Sequence, residues 1–371
     1  MARVLVADDQ PDVLEALRFL LTDLRCDIDL VHSVDEAMAA LGRHTYDLLL
    51  MDLNYTRDTT SGREGLALLN RVRAHDPLLP IVVMTGWGSI DTAVEAMRRG
   101  ARSFVQKPWE DATLVEIVER ELAEGAALRQ RDARHAREQE DACLIQRALL
   151  PSSIQPLAGC DIAAQWQPAA GIGGDCYDIL RFSDTRAAIS IADVISKGLP
   201  AALLMSNLQA AVRAFATDEA ATRVVVANVN RLISRNIAVG KFVTLCYLVI
   251  DTTAGTIDYA NAGHNPPLLI RRDGTVEELS ATGVVLGIFP DGQYERRTTD
   301  FHPGDRLICY TDGITEATDV DGREFGTAAL AAAASDPHAT AAAIVAAVSD
   351  AATRWSDGAL HDDATLIVVT R

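Results

Sequence analysis

The sequence has few cysteines, and their spacing matches no cysteine-based site. Six cysteines occur in 371 residues, and none of them forms a C-x-x-C pair. They are Cys26, Cys143, Cys160, Cys176, Cys246 and Cys309. Disulfide frameworks and zinc sites require paired or closely spaced cysteines, so we expect neither. Scattered reduced thiols are typical of a cytoplasmic protein, which is the location we expect.

The sequence also lacks membrane signals and an excess of basic residues. No signal peptide precedes the first predicted strand, and the longest apolar stretches are interrupted by Asp, Pro or His. We therefore expect no membrane association. The 34 Lys and Arg residues against 52 Asp and Glu give a net charge of −18. Because nucleic acids require a basic surface, this charge argues against a nucleic-acid partner and a DNA-binding output, and it suits divalent cations.

The composition and the pattern changes predict a globular chain with three parts. Apolar residues make up 49% of the sequence, which is enough for more than one packed core. We expect a doubly wound α/β domain over residues 1–120 and a helical linker over 121–154. An α+β layered β-sandwich domain is expected over 155–371.

In the first part, strands alternate with helices, and chemically active side chains follow the strands. Strand-like apolar runs such as Arg3–Ala7 alternate with segments of helical period, which predicts a parallel sheet. The strand ends carry Asp8, Asp9, Asp52, Thr85 and Lys107. These ends meet at one edge of such a sheet. Three carboxylates, a hydroxyl and an ammonium group there suit Mg²⁺-assisted transfer of a phosphoryl group to a carboxylate.

These motifs resemble the response-regulator receiver domain, whose fold is flavodoxin/CheY-like. The matching stretches are Asp8-Asp9, Met51-Asp52-Leu53-Asn54, Thr85-Gly86 and Lys107-Pro108. The sequence departs from the family in one place, because the loop from Asn54 to Gly62 is longer than the usual turn and lacks its proline.

The resemblance implies a role for each matching residue. Asp52 would accept a phosphoryl group from a cognate sensor histidine kinase. Asp9, Asp52 and the backbone carbonyl of Asn54 would bind Mg²⁺, with Asp8 in support. Thr85 and Lys107 would sense the phosphoryl group, and Phe104 would be the switching aromatic residue.

The linker is strongly charged, and its association state stays open. Leu114, Leu128 and Leu149 are spaced by multiples of seven, but Glu121 and His135 occupy positions between them. This weak pattern fits either a coiled coil that supports a homodimer or a solvated single helix. A homodimer through the linker or the receiver is our expectation.

Two short strand-like runs in the third part bring two aspartates together. Cys176–Phe182 and Ala187–Ala192 are joined by the turn residues Ser183–Thr185, which predicts a hairpin. Asp175 and Asp193 would then lie side by side at one end of it. Two close carboxylates favour a bound hard cation such as Mg²⁺ or Mn²⁺, although each aspartate could instead cap a turn.

Two further aspartates follow the same pattern. Asp312 and Asp362 also lie at strand ends beside Gly or Asp residues. Four carboxylates would repel one another strongly unless two divalent ions are shared among them. In known enzymes, two such ions about 3.5–4 Å apart hold a hydroxide between them, and this hydroxide attacks a phosphate ester.

Residues 145–371 resemble the SpoIIE/RsbU-type branch of the metal-dependent protein phosphatases (protein phosphatase 2C-like, PPM). The matching stretches are Gly173–Asp178, Ala192–Ala202, Asn261–Pro266, Gly304-Asp305, Tyr310–Ala317 and Asp362–Thr365, preceded by a helix ending Ile145-Gln146 and Leu149-Leu150-Pro151. The resemblance implies two Mn²⁺ or Mg²⁺ ions bound by Asp175, Asp193, Asp312 and Asp362 and by the Val194 carbonyl. Asp363 would support these ligands without contacting the metal. Ala192 stands where the family usually has Gly.

Four other polar residues are less clearly assigned. No arginine is placed as the residue that binds the phosphate, and Lys197 is a candidate for that role. His264 is better explained as a hydrogen-bonded turn residue, and His361 as a surface or supporting residue, than as general acids. Asp178 fits either a support for the ligands or a turn cap.

Two functions from different classes follow from these resemblances. The first is a response regulator whose output is a serine/threonine phosphoprotein phosphatase controlled by Asp52. For this branch the implied substrate is a phosphorylated anti-anti-sigma (STAS) protein in a partner-switching pathway. The second is a non-catalytic adaptor that binds a sigma-factor regulator through a phosphatase-like domain. All four predicted metal-binding aspartates are present in the sequence, which favours the enzyme over the adaptor.

Overall fold

The computed structural model describes residues 1–55, 62–86, 90–169, 171–238, 240–358 and 360–371. Most of the long loop expected between Asn54 and Gly62 lies outside these residues. The described chain divides into two compact units, Met1–Arg137 and Glu138–Arg371. Each unit has its own buried core.

The first unit is the expected doubly wound α/β domain. Its elements are β1 (Arg3–Ala7), α1 (Pro11–Thr22), β2 (Asp27–Val31), α2 (Val34–Arg43), β3 (Leu48–Asp52), α3 (Arg63–His75), β4 (Ile81–Thr85), α4 (Ile90–Arg98), β5 (Ser103–Gln106) and α5 (Asp111–Leu149). All strand pairs are parallel, in the order β2-β1-β3-β4-β5. In this topology the chain changes direction across the sheet beside β1 and β3, and ligands bind at the carboxyl ends of those strands.

Alternation along the strands builds a core on both faces of the parallel sheet. Val4 and Val6 pack with α1 and the start of α5, whereas Leu5 and Ala7 pack with α2 and α3. Because successive side chains of a strand point to opposite faces, a strand covered on both faces must be apolar throughout. The Ser33 side chain caps the start of α2 by accepting a hydrogen bond from the Glu36 backbone N–H.

The helix α5 spans the division between the two units. It is 39 residues long. Its first turns bury Leu114 and Val118 in the core of the first unit, whereas residues 130–141 are exposed. Nothing in these contacts decides between a coiled coil and a solvated helix, so the homodimer stays a prediction. Across the described ranges, none of the helices combines the length and the apolarity that a bilayer crossing requires.

The second unit is a sandwich of two antiparallel sheets covered by helices. Its elements are β6 (Asp161–Gln167), β7 (Cys176–Arg181), β8 (Arg186–Val194), α6 (Leu199–Phe215), α7 (Thr222–Asn236), β9 (Val243–Asp251), β10 (Thr256–Ala262), β11 (Leu268–Ile270), β12 (Val276–Glu278), β13 (Arg297–Asp300), β14 (Arg306–Tyr310), α8 (Asp312–Thr315), α9 (Gly326–Ala333), α10 (Ala341–Trp355) and β15 (Ala364–Thr370). The sheet orders are β13-β10-β9-β8-β7 and β12-β11-β14-β15-β6.

The core of the second unit lies between the two sheets. Residues of both sheets, such as Ile189, Leu248 and Ile367, share one buried cluster. The helices α6 and α7 cover the first sheet, and α10 covers the second. The layers are therefore helix, sheet, sheet and helix, which confirms the predicted layered sandwich.

Three short elements escaped the sequence analysis. The strands β12 and β13 are edge strands with mostly exposed side chains, so they carry no apolar alternation. The helix α8 has only four residues and begins at Asp312 itself. Segments this short have too few positions for a periodic pattern.

We expect a paired glycine test to distinguish helix propensity from packing in the first unit. A Cβ at Gly125 of α5 would overlap the Pro80 ring, whereas a Cβ at Gly42 of α2 meets nothing within 4 Å. Gly125→Ala should therefore lower the free energy of unfolding of this unit by about 1–3 kcal/mol, because of overpacking. Gly42→Ala should raise it by about 0.5–1 kcal/mol. Calorimetry of the full chain, combined with hydrogen exchange at β4, measures both changes in the free energy of unfolding. Stabilisation by Gly125→Ala would contradict the close contact between Gly125 and Pro80.

Candidate functional site

In the first unit, three carboxylates gather at the carboxyl edge of the parallel sheet. Oxygens of Asp8, Asp9 and Asp52 lie within 4.8 Å of one another. Asp8 and Asp52 are buried. Lys107, in the loop after β5, lies between them, and its Nζ donates to Asp8 Oδ2 at 2.5 Å and to Asp52 Oδ2 at 2.8 Å. A lysine between two buried carboxylates offsets part of their repulsion.

The Asp52 carboxylate is only half satisfied by these contacts. Its Oδ1 is buried and has no hydrogen-bond partner among the described residues. Burial raises the pKa of Asp52, and Lys107 opposes that rise. For Lys107, burial favours the neutral amine, but Asp52 and Asp8 outweigh it and raise its pKa. The buried oxygen is thus available for a cation or a phosphoryl group.

The other predicted receiver residues surround this edge or follow it. Asn54 lies two residues after Asp52, and its backbone N–H hydrogen-bonds to Asp52 and lowers the pKa of that carboxyl. Thr85 is buried at the end of β4, the strand beside β3. Phe104 is half exposed on β5. The roles of Asn54, Thr85 and Phe104 stay predictions.

In the second unit, each sheet contributes two aspartates to one cavity. The register of β7 and β8 pairs Cys176 with Ala192, which places Asp175 next to Asp193. In the other sheet β14 lies beside β15; Asp312 follows β14 and Asp362 precedes β15. All four aspartates line a cavity of about 430 Å³, together with Val194, Ile195, Ser196, Lys197, Lys241 and Asp363.

Asp175 is the most buried of the four aspartates. Its Oδ2 accepts hydrogen bonds from Thr311 Oγ1 at 2.6 Å and Thr365 Oγ1 at 2.7 Å. Its Oδ1 is buried without a hydrogen-bond partner in the described part of the chain. Burial, followed by the charge of Asp193, raises the pKa of Asp175 well above its ordinary value, although the two hydroxyls oppose this. A cation at Oδ1 would favour the ionised form of Asp175.

Burial and neighbouring carboxylates also destabilise the charged forms of Asp193 and Asp312. Burial and the charges of Asp312 and Asp362 raise the pKa of Asp193 to about 6. Burial and Asp362 also raise the pKa of Asp312. Lys197 Nζ lies 2.9 Å from Asp362 Oδ2, but both side chains are substantially exposed, so this pair offsets little of the repulsion. An all-oxygen donor set of this kind suits a hard divalent cation.

Asp363 and two glycines hold the segments that carry the aspartates. The Asp363 carboxylate accepts hydrogen bonds from the backbone N–H groups of Ala169 at 2.9 Å and Gly174 at 2.6 Å. A Cβ at Gly174 would lie 2.8 Å from the Val194 carbonyl oxygen, and one at Gly313 would overlap the Asp363 backbone. Only glycine allows these close approaches, which explains why glycine precedes Asp175 and follows Asp312 in the sequence.

One contact of this site was missed, although its residue stands in the motif that resembles the phosphatase family. Gln146 of α5 is buried, and its Nε2 donates to the Gly173 carbonyl at 2.6 Å. The Gly173 N–H donates back to Gln146 Oε1 at 3.1 Å. The end of α5 is also bound to α6, since Gln209 Nε2 donates to the Leu149 carbonyl at 2.6 Å. The end of α5 is thus hydrogen-bonded to the turn that leads to Asp175.

The two histidines and Asp178 do not line the aspartate cavity. His264 is buried, with its Nδ1 2.8 Å from Thr244 Oγ1, and burial lowers its pKa to about 4. It is therefore neutral at pH 7. His361 is exposed beside Asp362. Asp178 lies within β7 and pairs with both Nε and Nη2 of Arg213, so the expectation that it caps a turn is wrong.

The sheet order and the two acidic sites define the class of protein. A parallel 2-1-3-4-5 sheet with acidic strand ends is a receiver-type domain. A two-sheet sandwich with a carboxylate-lined cavity has the architecture of the metal-dependent phosphatases, as the sequence analysis predicted.

Comparison with known proteins agrees with both parts. The sequence profile for "Stage II sporulation protein E (SpoIIE)" matches residues 183–371, and that for "Response regulator receiver domain" matches residues 4–119. The chain belongs to the SpoIIE family and carries a receiver domain at its N-terminal side. Both resemblances and the predicted fold classes are thereby confirmed.

Individual relatives match one part or the other. Phosphoserine phosphatase RsbU of Bacillus subtilis is 32% identical over 233 residues, covering 62% of this chain and 69% of the relative. Regulatory protein LuxO of Vibrio cholerae is 38% identical over 124 residues, or 33% of this chain and 26% of LuxO. The SiaA-PP2C domain of Pseudomonas aeruginosa has a TM-score of 0.57 at 21% identity, covering 65% of this chain and 98% of that structure, which shows a shared fold.

The raised pKa of Asp193 predicts a stability gain when its charge is removed. A folded-state pKa of about 6, above the ordinary value of 3.8, means that the metal-free fold loses stability as the pH rises from about 4 to 6. In EDTA at pH 7.5, Asp193→Asn should therefore raise the free energy of unfolding of the second unit by about 1–2 kcal/mol, with no gain at pH 4. Thermal unfolding measures this. Asp350→Asn, on the exposed side of α10, is the matched control and should change little; a lower melting temperature for Asp193→Asn at pH 7.5 would refute the prediction.

Proposed function

We propose that the second unit hydrolyses phosphoserine or phosphothreonine in a protein, using two Mn²⁺ or Mg²⁺ ions bound by Asp175, Asp193, Asp312 and Asp362. The Val194 backbone carbonyl would complete the ligand set. The observation that carries the proposal is the convergence of four carboxylates on one cavity, with a buried and unpartnered oxygen on Asp175. Family membership supports it, since RsbU is named a phosphoserine phosphatase.

The residues of the cavity fit this chemistry without a covalent enzyme intermediate. Bound divalent ions supply Lewis-acid activation of water and of the phosphoryl oxygens. Thr311 and Thr365 hold Asp175 Oδ2, which leaves the buried Oδ1 without a hydrogen-bond partner among the described residues. Asp363 and Gln146 fix the backbone turn before Asp175. These contacts orient the carboxylates before substrate binds, so that little reorganisation is needed.

The first unit would regulate this reaction through Asp52. A cognate sensor histidine kinase would supply the phosphoryl group, and Mg²⁺ would be held by Asp9, Asp52 and the Asn54 carbonyl, with Asp8 in support. Lys107 already contacts Asp52, and Thr85 lies at the neighbouring strand end. The phosphorylated receiver would alter the linker helix or its homodimerisation, since α5 packs in the first unit at one end and binds Gly173 at the other.

The proposed substrate is a phosphorylated STAS-type anti-anti-sigma protein of the cytoplasm. Its dephosphorylation would switch partners in a pathway that controls a sigma factor. This assignment follows from the resemblance to the SpoIIE/RsbU branch. The adaptor hypothesis remains as the alternative that the first test below decides.

Hydrolysis of p-nitrophenyl phosphate should depend on the metal ligands. We expect turnover by the wild-type chain with Mn²⁺ or Mg²⁺ and its loss in EDTA. Asp193→Asn should reduce the rate on the order of 100-fold, because a ligand is lost. Asp350→Asn should retain the wild-type rate. Equal, negligible turnover by the wild type and Asp193→Asn would favour the adaptor.

A phosphoryl mimic at Asp52 should change the output. We expect beryllofluoride with Mg²⁺ to alter, by severalfold, either the rate at which the chain dephosphorylates a phosphorylated STAS protein or its oligomeric state. Asp52→Asn should abolish the response, because the acceptor oxygen is lost. Turnover assays and light scattering on the same samples measure both. No change in either would leave the receiver as a passive docking module.

A further inference from the structure

The chain has very few lysines, and all of them lie at the two acidic sites. Of the 34 basic residues only three are lysines, namely Lys107, Lys197 and Lys241, and the other 31 are arginines. Lys107 belongs to the receiver edge. The other two both line the aspartate cavity of the second unit. Everywhere else the protein uses arginine as its cation.

Lysine and arginine differ in what they can do beside carboxylates. An ammonium group is a compact charge on a flexible stem, whereas a guanidinium tends to form fixed bidentate pairs. Lys197 is paired with Asp362. Lys241 is exposed, and no ion pair joins it to an acidic residue in the described ranges. It is therefore the cation on the cavity wall that is available for an incoming anion.

Lys241 also lines a second depression that adjoins the cavity. This groove, between the start of α6 and the end of α7, measures about 380 Å³. It is lined by Ser196, Pro200, Leu203, Leu204, Asn207, Asn236, Ile237, Ala238 and Lys241. Ser196 and Lys241 are common to the groove and the cavity, so the two lie side by side. The groove is within the size range of protein ligand sites.

The rim of the groove exposes large apolar side chains. Leu203 is 65% exposed, and the nearby Leu199 and Ile195 are 54% and 43% exposed. Apolar surface concentrated beside a polar site typically marks a contact with another molecule. Because the groove adjoins the aspartate cavity, a peptide whose phosphate enters the cavity has its neighbouring residues within reach of this surface.

We propose that the groove between α6 and α7 binds apolar residues that flank the phosphorylated serine or threonine of the protein substrate, and that Lys241 binds the phosphate where groove and cavity meet. This rests on the phosphatase function proposed above and adds a sequence preference to it. The positive charge of Lys241 complements the phosphate dianion, and the apolar wall complements leucine-like side chains. Lys241 is assigned here as a binding residue for the substrate.

Two synthetic phosphopeptides test the groove. One has phosphoserine flanked by leucines, and the other has glycines in place of the leucines. The wild-type chain with Mn²⁺ should hydrolyse the leucine peptide with a kcat/KM about tenfold higher, which is the usual gain from one apolar pocket. Fluorescence anisotropy with non-hydrolysable phosphonate versions should show the same preference in Kd.

Variants separate the groove from the rest of the surface. Leu203→Glu should reduce the preference between the two peptides to about one. Val320→Glu changes a side chain that is 86% exposed elsewhere in the same unit, and it should keep the tenfold preference. A wild-type chain without preference, or a Leu203→Glu variant that retains it, overturns the groove assignment. So does a change of oligomeric state in Leu203→Glu with the preference intact, which would make the groove an interface between copies.

The role of Lys241 is tested by comparing how its substitution changes KM and kcat. Lys241→Met should raise KM for p-nitrophenyl phosphate and both peptides about tenfold, with a much smaller change in kcat, because a charge-assisted contact to phosphate is lost. Lys241→Arg should restore most of the affinity. An unchanged KM in Lys241→Met, or no rescue by arginine, overturns the assignment. If the wild type hydrolyses neither p-nitrophenyl phosphate nor either peptide, the phosphatase function itself fails, which is a separate result.

Discussion

The repulsion between carboxylates is the constraint on which both functional regions depend. In the receiver, Lys107 lies between Asp8 and Asp52 and supplies an internal counter-charge. In the second unit, Asp175, Asp193 and Asp312 share their cavity with two exposed lysines, which offset little of the repulsion, and burial raises the pKa of each. Such an arrangement is unfavourable by itself, so the packed sandwich core must hold it in place.

The rigidity that opposes this repulsion comes from backbone packed against backbone. Gly174 lies against the Val194 carbonyl in the first sheet, and Gly313 lies against the Asp363 backbone in the second, so in each sheet the two aspartate-bearing segments meet through close main-chain contacts. The Asp363 carboxylate ties the same turn to the last strand. A site built on strand ends and close backbone contacts keeps its geometry better than one built on a free loop.

The same turn is where the linker helix reaches the site. Gln146 exchanges two hydrogen bonds with Gly173, two residues before Asp175. Any rotation of α5 about its axis would break these buried hydrogen bonds, which are costly to leave unsatisfied. The helix therefore has a physical means of altering the position of Asp175, and this gives the proposed receiver control a defined point of action.

The sequence by itself determined the two fold classes and the aspartates of both sites, because buried strands and strand-end carboxylates leave local patterns. Asp8, Asp52, Asp175 and Asp193 could all be found from apolar runs and the residues at their ends. Tertiary structure alone decided that Gln146 binds Gly173, that Asp178 pairs with Arg213, and that Lys241 joins a cavity to a groove. Each of these joins residues from separate elements, and a contact that depends on how helices and sheets pack leaves no periodic signal along the chain.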